Sequence, residues 1–401
     1  MICAELRTSC ARRLSATYAR EVPAYGTLVQ VSRAVNRDVA AALGADAERL
    51  GSLDRVTEER HGAVRVGSVA ELRQAAQVFA GFGMEPVGFY DLRDAKGAIP
   101  VVSTGFRATT PESLAASPFR VFCSMLEPAD RRFFDAELAQ QVEAFVARRQ
   151  LFPPELLLLA ETSAREGGLD GEDAERFLEL ATDAFSLSSE PVDRGWYERL
   201  GRVSSVAADI AGVTSTHLNH LTPRVLDIDE LYRRLSDQGV EMIDRIQGPP
   251  KLGTDVLLRQ TSFRALAEPR RFREPDGSVV QGDLKVRFGE VECRGVALTP
   301  AGMELYDDLR GADAETWALK VPATEAGLSE AGLAWFTTSG EPIVYEDFLP
   351  RSAAGIFRSN LTGSGNRSEQ EQGVHRDRAW LAEQLGRTVH EPQDLYAAQS
   401  R

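Results

Sequence analysis

Between Arg60 and Leu126 the chain orders one helical stretch and four short β-like runs in a way that few folds can use. "HGAVRVGS" (61–68) has β texture and "VAELRQAAQVFAGFGM" (69–84) is an amphipathic helix ending near Gly81 or Gly83. "PVGFYDL" (86–92), "VVSTGFRAT" (101–109) and "FRVFCSML" (119–126) then read as strands, with "RDAKGAIP" between the first two. This strand–helix–strand–strand–strand unit sets the class as α+β and gives the rest of the chain something to pack against.

Helical texture flanks it on both sides. "ELRTSCARRLSATYAREV" and "TLVQVSRAVNRDVAAALGADAERLG" have helical apolar spacing, with Pro23 and Gly26 between them. "DAELAQQVEAFVARRQLF" and "DGEDAERFLELATDAFSL" are the clearest helices of 128–200, separated by a "REGGLDGED" turn. Strand texture returns in fragments: "THLNHLTPRVLDID", "DVLLRQTSFRALAE", "LKVRFGEVECRGVALT" and "EPIVYEDFLPRSAAGIF", with a helix at "DIDELYRRLSDQG". From Gly363 the tail is a polar loop before a last helix around 376–386. The expected organisation is one catalytic domain over 1–401. It comprises a helical segment (1–55), a βαβββ-like half (56–126), a helical insertion (127–204), a β-rich half (205–361) and a C-terminal loop and helix (362–401). The two halves are expected to close around a cavity, the second far less regular.

Composition narrows the chemistry. A hydrophobic fraction of 43% with 26% charged residues is that of a soluble globular protein. The greasiest stretch, "LFPPELLLLA", carries two prolines and a glutamate and is too short to span a membrane. The N-terminus has charged residues and no apolar signal core. Cys3, Cys10, Cys123 and Cys293 are scattered with no CxxC pair, as expected of reduced thiols in the cytoplasm. A net charge of −14 and a pI near 5.0 disfavour nucleic acid and anionic membranes as partners. An anionic substrate would need arginines inside its pocket. Oligomeric state is not legible.

The stretch "RFGEVECRG" (287–295) carries a chemical problem. On period-two alternation Val286, Phe288, Glu290 and Glu292 share one face, opposite Arg287, Gly289, Val291 and Cys293. A carboxylate following Phe288 on a core-facing row needs a cation or a metal. Five histidines are available. His375 and His390 lie in the polar tail and read as solvent-exposed. His61 shares a strand face with Ala63 and Arg65. His217 and His220 form an HxxH in a segment whose threonines and Pro223 disfavour helix. In an extended segment residues three apart point to opposite sides, so at most one of the pair reaches a common site. Two imidazoles and one carboxylate from separate strands match the facial triad of non-heme Fe(II) oxygenases. On spacing alone, a core histidine with a Glu290–Arg ion pair is the more ordinary reading.

The order of short motifs adds to this. "EVPAYGTL", "EERHGAVRVGS", "PVGFYDL", "STGFRA" and "SPFRVF" precede "NHLTPRVLDID", "LLRQTSFRAL", "RFGEVECRGVALTP" and "VYEDFLPRSAAGIF". Together they resemble the 2-oxoadipate dioxygenase/decarboxylase family, a divergent relative of the vicinal oxygen chelate enzymes, over about residues 20 to 361. The resemblance implies a vicinal-oxygen-chelate-like β-barrel or curved sheet around a metal. It also implies Fe(II) on His61, His220 and Glu290, with these residues and Arg65 meeting the substrate. It selects His220 over His217 and Glu290 over Glu292. This chain departs from the family pattern at Arg351, where one family member carries valine in a position lining the substrate site, and it is shorter between about 310 and 335.

The implied chemistry is oxidative decarboxylation of a 2-oxo acid (2-oxoadipate or a related acid) by O₂ to a 2-hydroxy acid one carbon shorter, 2-hydroxyglutarate for 2-oxoadipate. Arg65 suits a carboxylate clamp. Arg259, Gln260 and Ser262 are candidates for further polar wall and Glu292 for a hydrogen bond behind a ligand, each weighed against a structural role. Competing readings are a redox-inert isomerase or hydrolase of the vicinal oxygen chelate type and a metal-free binding protein of the same fold.

Overall fold

The computed structural model describes residues 1–94, 98–265, 267–284, 287–349 and 371–401. Ten strands form among the described residues: β1 (Arg60–Val66), β2 (Glu85–Asp91), β3 (Val101–Arg107), β4 (Phe119–Leu126), β5 (Val192–Asp193), β6 (His220–Pro223), β7 (Leu258–Ser262), β8 (Glu268–Arg273), β9 (Val279–Leu284) and β10 (Glu290–Arg294). The expected βαβββ unit is present. Its four strands and β6 make one sheet in the order β2-β3-β4-β1-β6.

β1 pairs parallel with β4 along its whole length and antiparallel with β6 over Arg60–Ala63, so its first half is held on both edges. All seven of its residues are buried. Gly62, Val64 and Val66 alternate with His61, Ala63 and Arg65, so His61 and Arg65 share one face, with Arg60 at the strand's start on the other. The connection between β1 and β2 is the helix Val69–Gly81, begun by Ser68, whose side chain accepts from Glu71 N, a serine cap of a helix start. It packs against the helix Pro154–Glu166, formed by the greasy "PELLLLA" stretch, which buries Leu156 and Ala160 and leaves Leu158 in solvent.

The N-terminal helices are Cys3–Glu21 and Pro23–Leu43. The break falls at Val22 alone: Pro23 takes the first turn of the second helix, where its missing N–H costs nothing, and Gly26 lies inside that helix. This pair braces the functional strands. Asn36 donates to Arg224 O (3.1 Å) and accepts from Leu226 N (2.8 Å), holding the chain just after β6.

The second half differs from expectation. Apart from a β8–β9 hairpin, its strands form one pair among the described residues, β7 with β10, antiparallel, with Glu290 opposite Ser262 and Glu292 opposite Gln260. A bridge between Arg224 and Glu292, with Val225 N to Glu292 O at 2.8 Å, sets β10 beside the end of β6. No second βαβββ unit forms and no sheet closes into a barrel among the described residues; the architecture is α+β with open sheets. The β8–β9 hairpin, the short helix Pro111–Ala116 and the final helix Pro392–Gln399 are elements that apolar spacing did not indicate. The last of these is anchored by Tyr396, whose hydroxyl accepts from Glu346 N (2.9 Å) and donates to Asp347, itself held by Arg107 at 2.8 Å. Residues 341–349 join through single bridges such as Val296 to Val344 rather than as a strand.

Candidate metal centre

β1, β6 and β10 bring His61, His220 and Glu290 together. All three are buried, and one donor atom from each lies within 4.8 Å of the others. The His61 and His220 rings stand edge to face, centroids 5.3 Å apart and planes at 85°. His61 Nε2 is 3.1 Å from Glu290 Oε1, and His220 Nε2 is 3.9 Å from Oε2. Phe122, Phe348 and Leu349 close the small cavity above them, and Phe288 packs on His220 with ring centroids 5.4 Å apart.

The local sequence explains each placement. The alternation of β10 turns Glu290 and Glu292 to the same face, and the antiparallel register puts Gln260 and Ser262 of β7 there too. Gln260 Nε2 donates to Glu290 Oε1 at 2.6 Å, and Thr222 Oγ1 approaches the same oxygen at 3.4 Å. Gly289 supplies close approach: a Cβ there would sit 1.8 Å from Phe263 Cε1. Tyr18 OH lies between Asn219 O (2.9 Å) and Phe288 O (3.1 Å), joining the two segments that lead into His220 and Glu290.

Behind the cluster is a buried charge network. Glu292 Oε2 is 2.8 Å from His61 Nδ1. Arg294 reaches both Glu292 oxygens, at 2.7 and 3.0 Å, and Arg120 Nη1 stands 3.6 Å away. Arg120 also pairs with Glu59 (2.7 Å) and Glu346, and Arg224 with Glu59 (2.9 Å). Burial works to raise the Glu292 carboxyl, but Arg294, His61 and Arg120 overcome it and hold it at about 2. Burial lowers His61, and Glu292 and Glu290 overcome that and raise it. For His220 burial wins, and the ring falls to about 4, opposed by Glu290 and assisted by the positive charge of Arg65. A neutral His220 offers a lone pair. A carboxylate behind His61 orients the ring and favours the proton on Nδ1, leaving Nε2 to bind.

The alternation that separates the two HxxH histidines is present: His217 points away from the cluster, its Nε2 3.3 Å from Asp209 Oδ1. Arg65 shares the buried face of His61, and its Nη1 pairs with Asp209, which also accepts from Asn219 Nδ2 at 2.7 Å. Arg259 does not belong to the site. It lies on the other face of β7, with Asp229 at 2.7 and 3.1 Å. Arg351 lies outside the described residues. Asp209, Glu59, Arg120 and Arg294 were not singled out by sequence reasoning. The one available signal is the row Glu290, Glu292, Arg294, three charges on a single buried strand face.

The donor set fits a divalent cation. Two imidazoles and a carboxylate are buried together, among the described residues no arginine or lysine pairs with Glu290, and an N₂O set of this kind suits a first-row transition metal. Among the described residues, His220 Nδ1 and Gln260 Oε1 are buried without a hydrogen-bond partner.

Comparison with known proteins accords with this donor set. A family profile described as 2-oxoadipate dioxygenase/decarboxylase matches residues 10–360. The chain is 57% identical over 399 residues to the 2-oxoadipate dioxygenase/decarboxylase of Mycobacterium tuberculosis, covering 98% of this chain and 96% of that one. It is 38% identical over 449 residues to the protein of the same name from Pseudomonas putida, covering 99% and 94%. The fold superposes on the crystal structure of the hydroxyglutarate synthase from Pseudomonas putida in complex with 2-oxoadipate with a TM-score of 0.85 at 36% identity, over 100% of this chain and 96% of that one. Agreement over nearly the whole length, in sequence and in fold, leaves one assignment: the chain belongs to the 2-oxoadipate dioxygenase/decarboxylase family.

Proposed function

We propose that this protein converts 2-oxoadipate, or a close 2-oxo acid, and O₂ to CO₂ and the hydroxy acid one carbon shorter. For 2-oxoadipate the balance is C₆H₈O₅ + O₂ → C₅H₈O₅ + CO₂. The substrate supplies the electrons and both oxygen atoms of O₂ are retained in the products. The observation that carries the reading is the buried His61–His220–Glu290 cluster in a chain of this family.

His61, His220 and Glu290 would hold Fe(II), which supplies a Lewis acid for the 2-oxo acid and a one-electron partner for O₂. Glu292 keeps His61 aligned through Nδ1. Gln260 fixes one oxygen of Glu290 and thereby the direction in which the carboxylate presents the other. Phe122, Phe288, Phe348 and Leu349 exclude bulk water, which strengthens the charge interactions inside and protects reactive species. Arg65 meets a substrate carboxylate, with Asp209 holding the guanidinium in place beforehand. We read the chain as one catalytic domain acting in the cytoplasm, where its four thiols stay reduced. Arg351, where one family member carries valine, makes the substrate's distal group the point at which this protein can differ from its relatives.

The test is an oxygen-electrode assay of anaerobically prepared protein loaded with Fe(II), against mono- and dicarboxylic 2-oxo acids. We expect one CO₂ released per O₂ consumed, loss of turnover on chelation, recovery with Fe(II) and none with Zn²⁺, which cannot exchange electrons with O₂. Turnover without O₂ uptake would replace this reading with a redox-inert one. Arg351→Val on the same panel reports on specificity: an unchanged rank order would make that position neutral.

A further inference from the structure

A second cavity, of about 590 Å³, lies between the two N-terminal helices, the short helix Leu53–Glu58 with the start of β1, and the segment 115–119. Tyr25, Val29 and Phe119 contribute apolar wall, and Arg12, Arg33, Arg55 and Arg60 line it against only two carboxylates, Asp54 and Glu58. In a chain of net charge −14 this is a local reversal of sign. Its volume is within the ordinary range of small-molecule sites, roughly 300–1,000 Å³.

Arg60 is the decisive residue. It is 5% exposed, and Nη1 donates to the carbonyls of Thr57 (2.8 Å) and Glu59 (2.7 Å). Among the described residues its buried Nε has no hydrogen-bond partner and no carboxylate pairs with it. Most other buried guanidiniums are provided for; Arg270, which donates to Ser188 O at 2.7 Å, likewise has an unpartnered Nε and no carboxylate among the described residues, but it lines a different cavity. Arg107, Arg120, Arg224 and Arg294 each face a carboxylate. Arg7, which has none, donates to four backbone carbonyls and the Ser113 hydroxyl. A buried cation lacking both a counter-charge and a full set of hydrogen bonds is unfavourable unless an anion arrives. Arg33, at the exposed rim, also has no ion-pair partner among the described residues. Arg12 is held by Glu58 at 3.1 Å and Arg55 by Glu346 at 2.5 Å, so those two frame the groove.

We propose that this groove is a binding site for a small organic anion, a carboxylate on an apolar body, separate from the His61 cluster. Alternation along β1 puts Arg60 and His61 on opposite faces of the strand, so the bound anion lies behind the metal centre. The carboxylate meets Arg60 at the floor and Arg33 at the rim, while the apolar body covers Tyr25, Val29 and Phe119.

The test is calorimetric and ligand-observed NMR titration of the full chain with hexanoate, with hexanol and hexylammonium as controls of the same apolar body. We expect saturable hexanoate binding that Arg65→Ala leaves unchanged, that Arg33→Gln weakens at least fivefold and that Arg60→Gln abolishes. Hexanol and hexylammonium should bind at least tenfold more weakly. Arg33 is exposed, so Arg33→Gln decides the matter even if Arg60→Gln fails to fold. The proposal is overturned by absence of saturable binding, by unchanged affinity in Arg33→Gln, by equal binding of hexanol, or by loss of binding in Arg65→Ala, which would assign the anion to the active site.

Discussion

Glu290 and Glu292, two residues apart on one face of β10, grip opposite nitrogens of the same ring: Glu290 Oε1 is 3.1 Å from His61 Nε2, and Glu292 Oε2 is 2.8 Å from Nδ1. The pleat of a single strand thus supplies both a candidate ligand and the group that orients the histidine beside it. The division of labour between the two carboxylates follows from their neighbours. Glu292 is held by Arg294 and Arg120, whereas Glu290 is met by the neutral donors Gln260 and Thr222 and remains able to accept a cation.

Glu292→Gln should therefore act on the metal without removing a ligand. Loss of a carboxylate behind a ligating histidine typically costs about 10–100-fold in metal affinity or activity. It also takes from Arg294 its nearer carboxylate, leaving Glu59 at 3.5 Å, and weakening a buried pair costs up to roughly 3–5 kcal/mol. Metal titration and urea denaturation of the same preparations should show both losses. Unchanged metal affinity would confine Glu292 to a structural role.

Tyr18 offers a cleaner test of how the fold positions the site. Its hydroxyl joins the segments leading into His220 and Glu290 but touches neither side chain. Tyr18→Phe keeps the ring and leaves two buried carbonyls short of a donor, a loss of about 1–3 kcal/mol. Thermal unfolding should register it, and metal should dissociate faster, because two of the three donors are less firmly held. Equal metal off-rates in wild type and variant would show that packing alone positions the strands.

The parts of this architecture legible in the sequence are those with local causes. The β1–β4 unit and the N-terminal helices follow from periodicity and from Gly or Pro at their ends. The divergence of His217 and His220 follows from an extended backbone. The charge network behind His61 has no such local signature. Glu59, Arg120, Arg224 and Arg294 come from four separate segments, and only the sheet order makes them neighbours. The irregular second half was misread for a related reason. Runs such as "EPIVYEDF" have strand composition, yet tertiary contacts give them single bridges rather than ladders. Arg259 and Gln260 could be separated only once the register of β7 against β10 was known.

Arg65 and Asp209 should separate binding from turnover. A partly buried, charge-assisted carboxylate contact is worth ~2–5 kcal/mol, so Arg65→Ala should lower kcat/KM by at least tenfold. Arg65→Lys should recover only part, because an ammonium cannot reproduce the paired geometry. Asp209→Asn keeps the shape around Arg65 and removes the charge that holds it. It should change KM more than kcat, since substrate no longer meets a pre-paired guanidinium. An unaltered kcat/KM in Arg65→Ala would remove this residue from the site.

The acid limb of stability tests the state of His220. Burial outweighs its carboxylate neighbours and holds the ring at about 4 in the folded protein. The unfolded chain, with an ordinary imidazole near 6.5, therefore takes up a proton that the folded protein refuses as pH falls. The stability that neutral His220 contributes is fully present above about 6.5 and is lost progressively down to about 4, with a ceiling of about 3 kcal/mol. His61 acts in the opposite sense: its raised value adds stability below the ordinary imidazole range, lost as pH rises through the folded value. The comparison must therefore isolate one ring. In metal-stripped protein, the unfolding free energy of wild type minus that of His220→Gln should fall by up to that ceiling between pH 7 and pH 4. His61, present in both proteins, largely cancels. A difference that stays flat across this range would mean that His220 is solvated or charged when folded, and its place as a neutral nitrogen donor beside Glu290 would be lost with it.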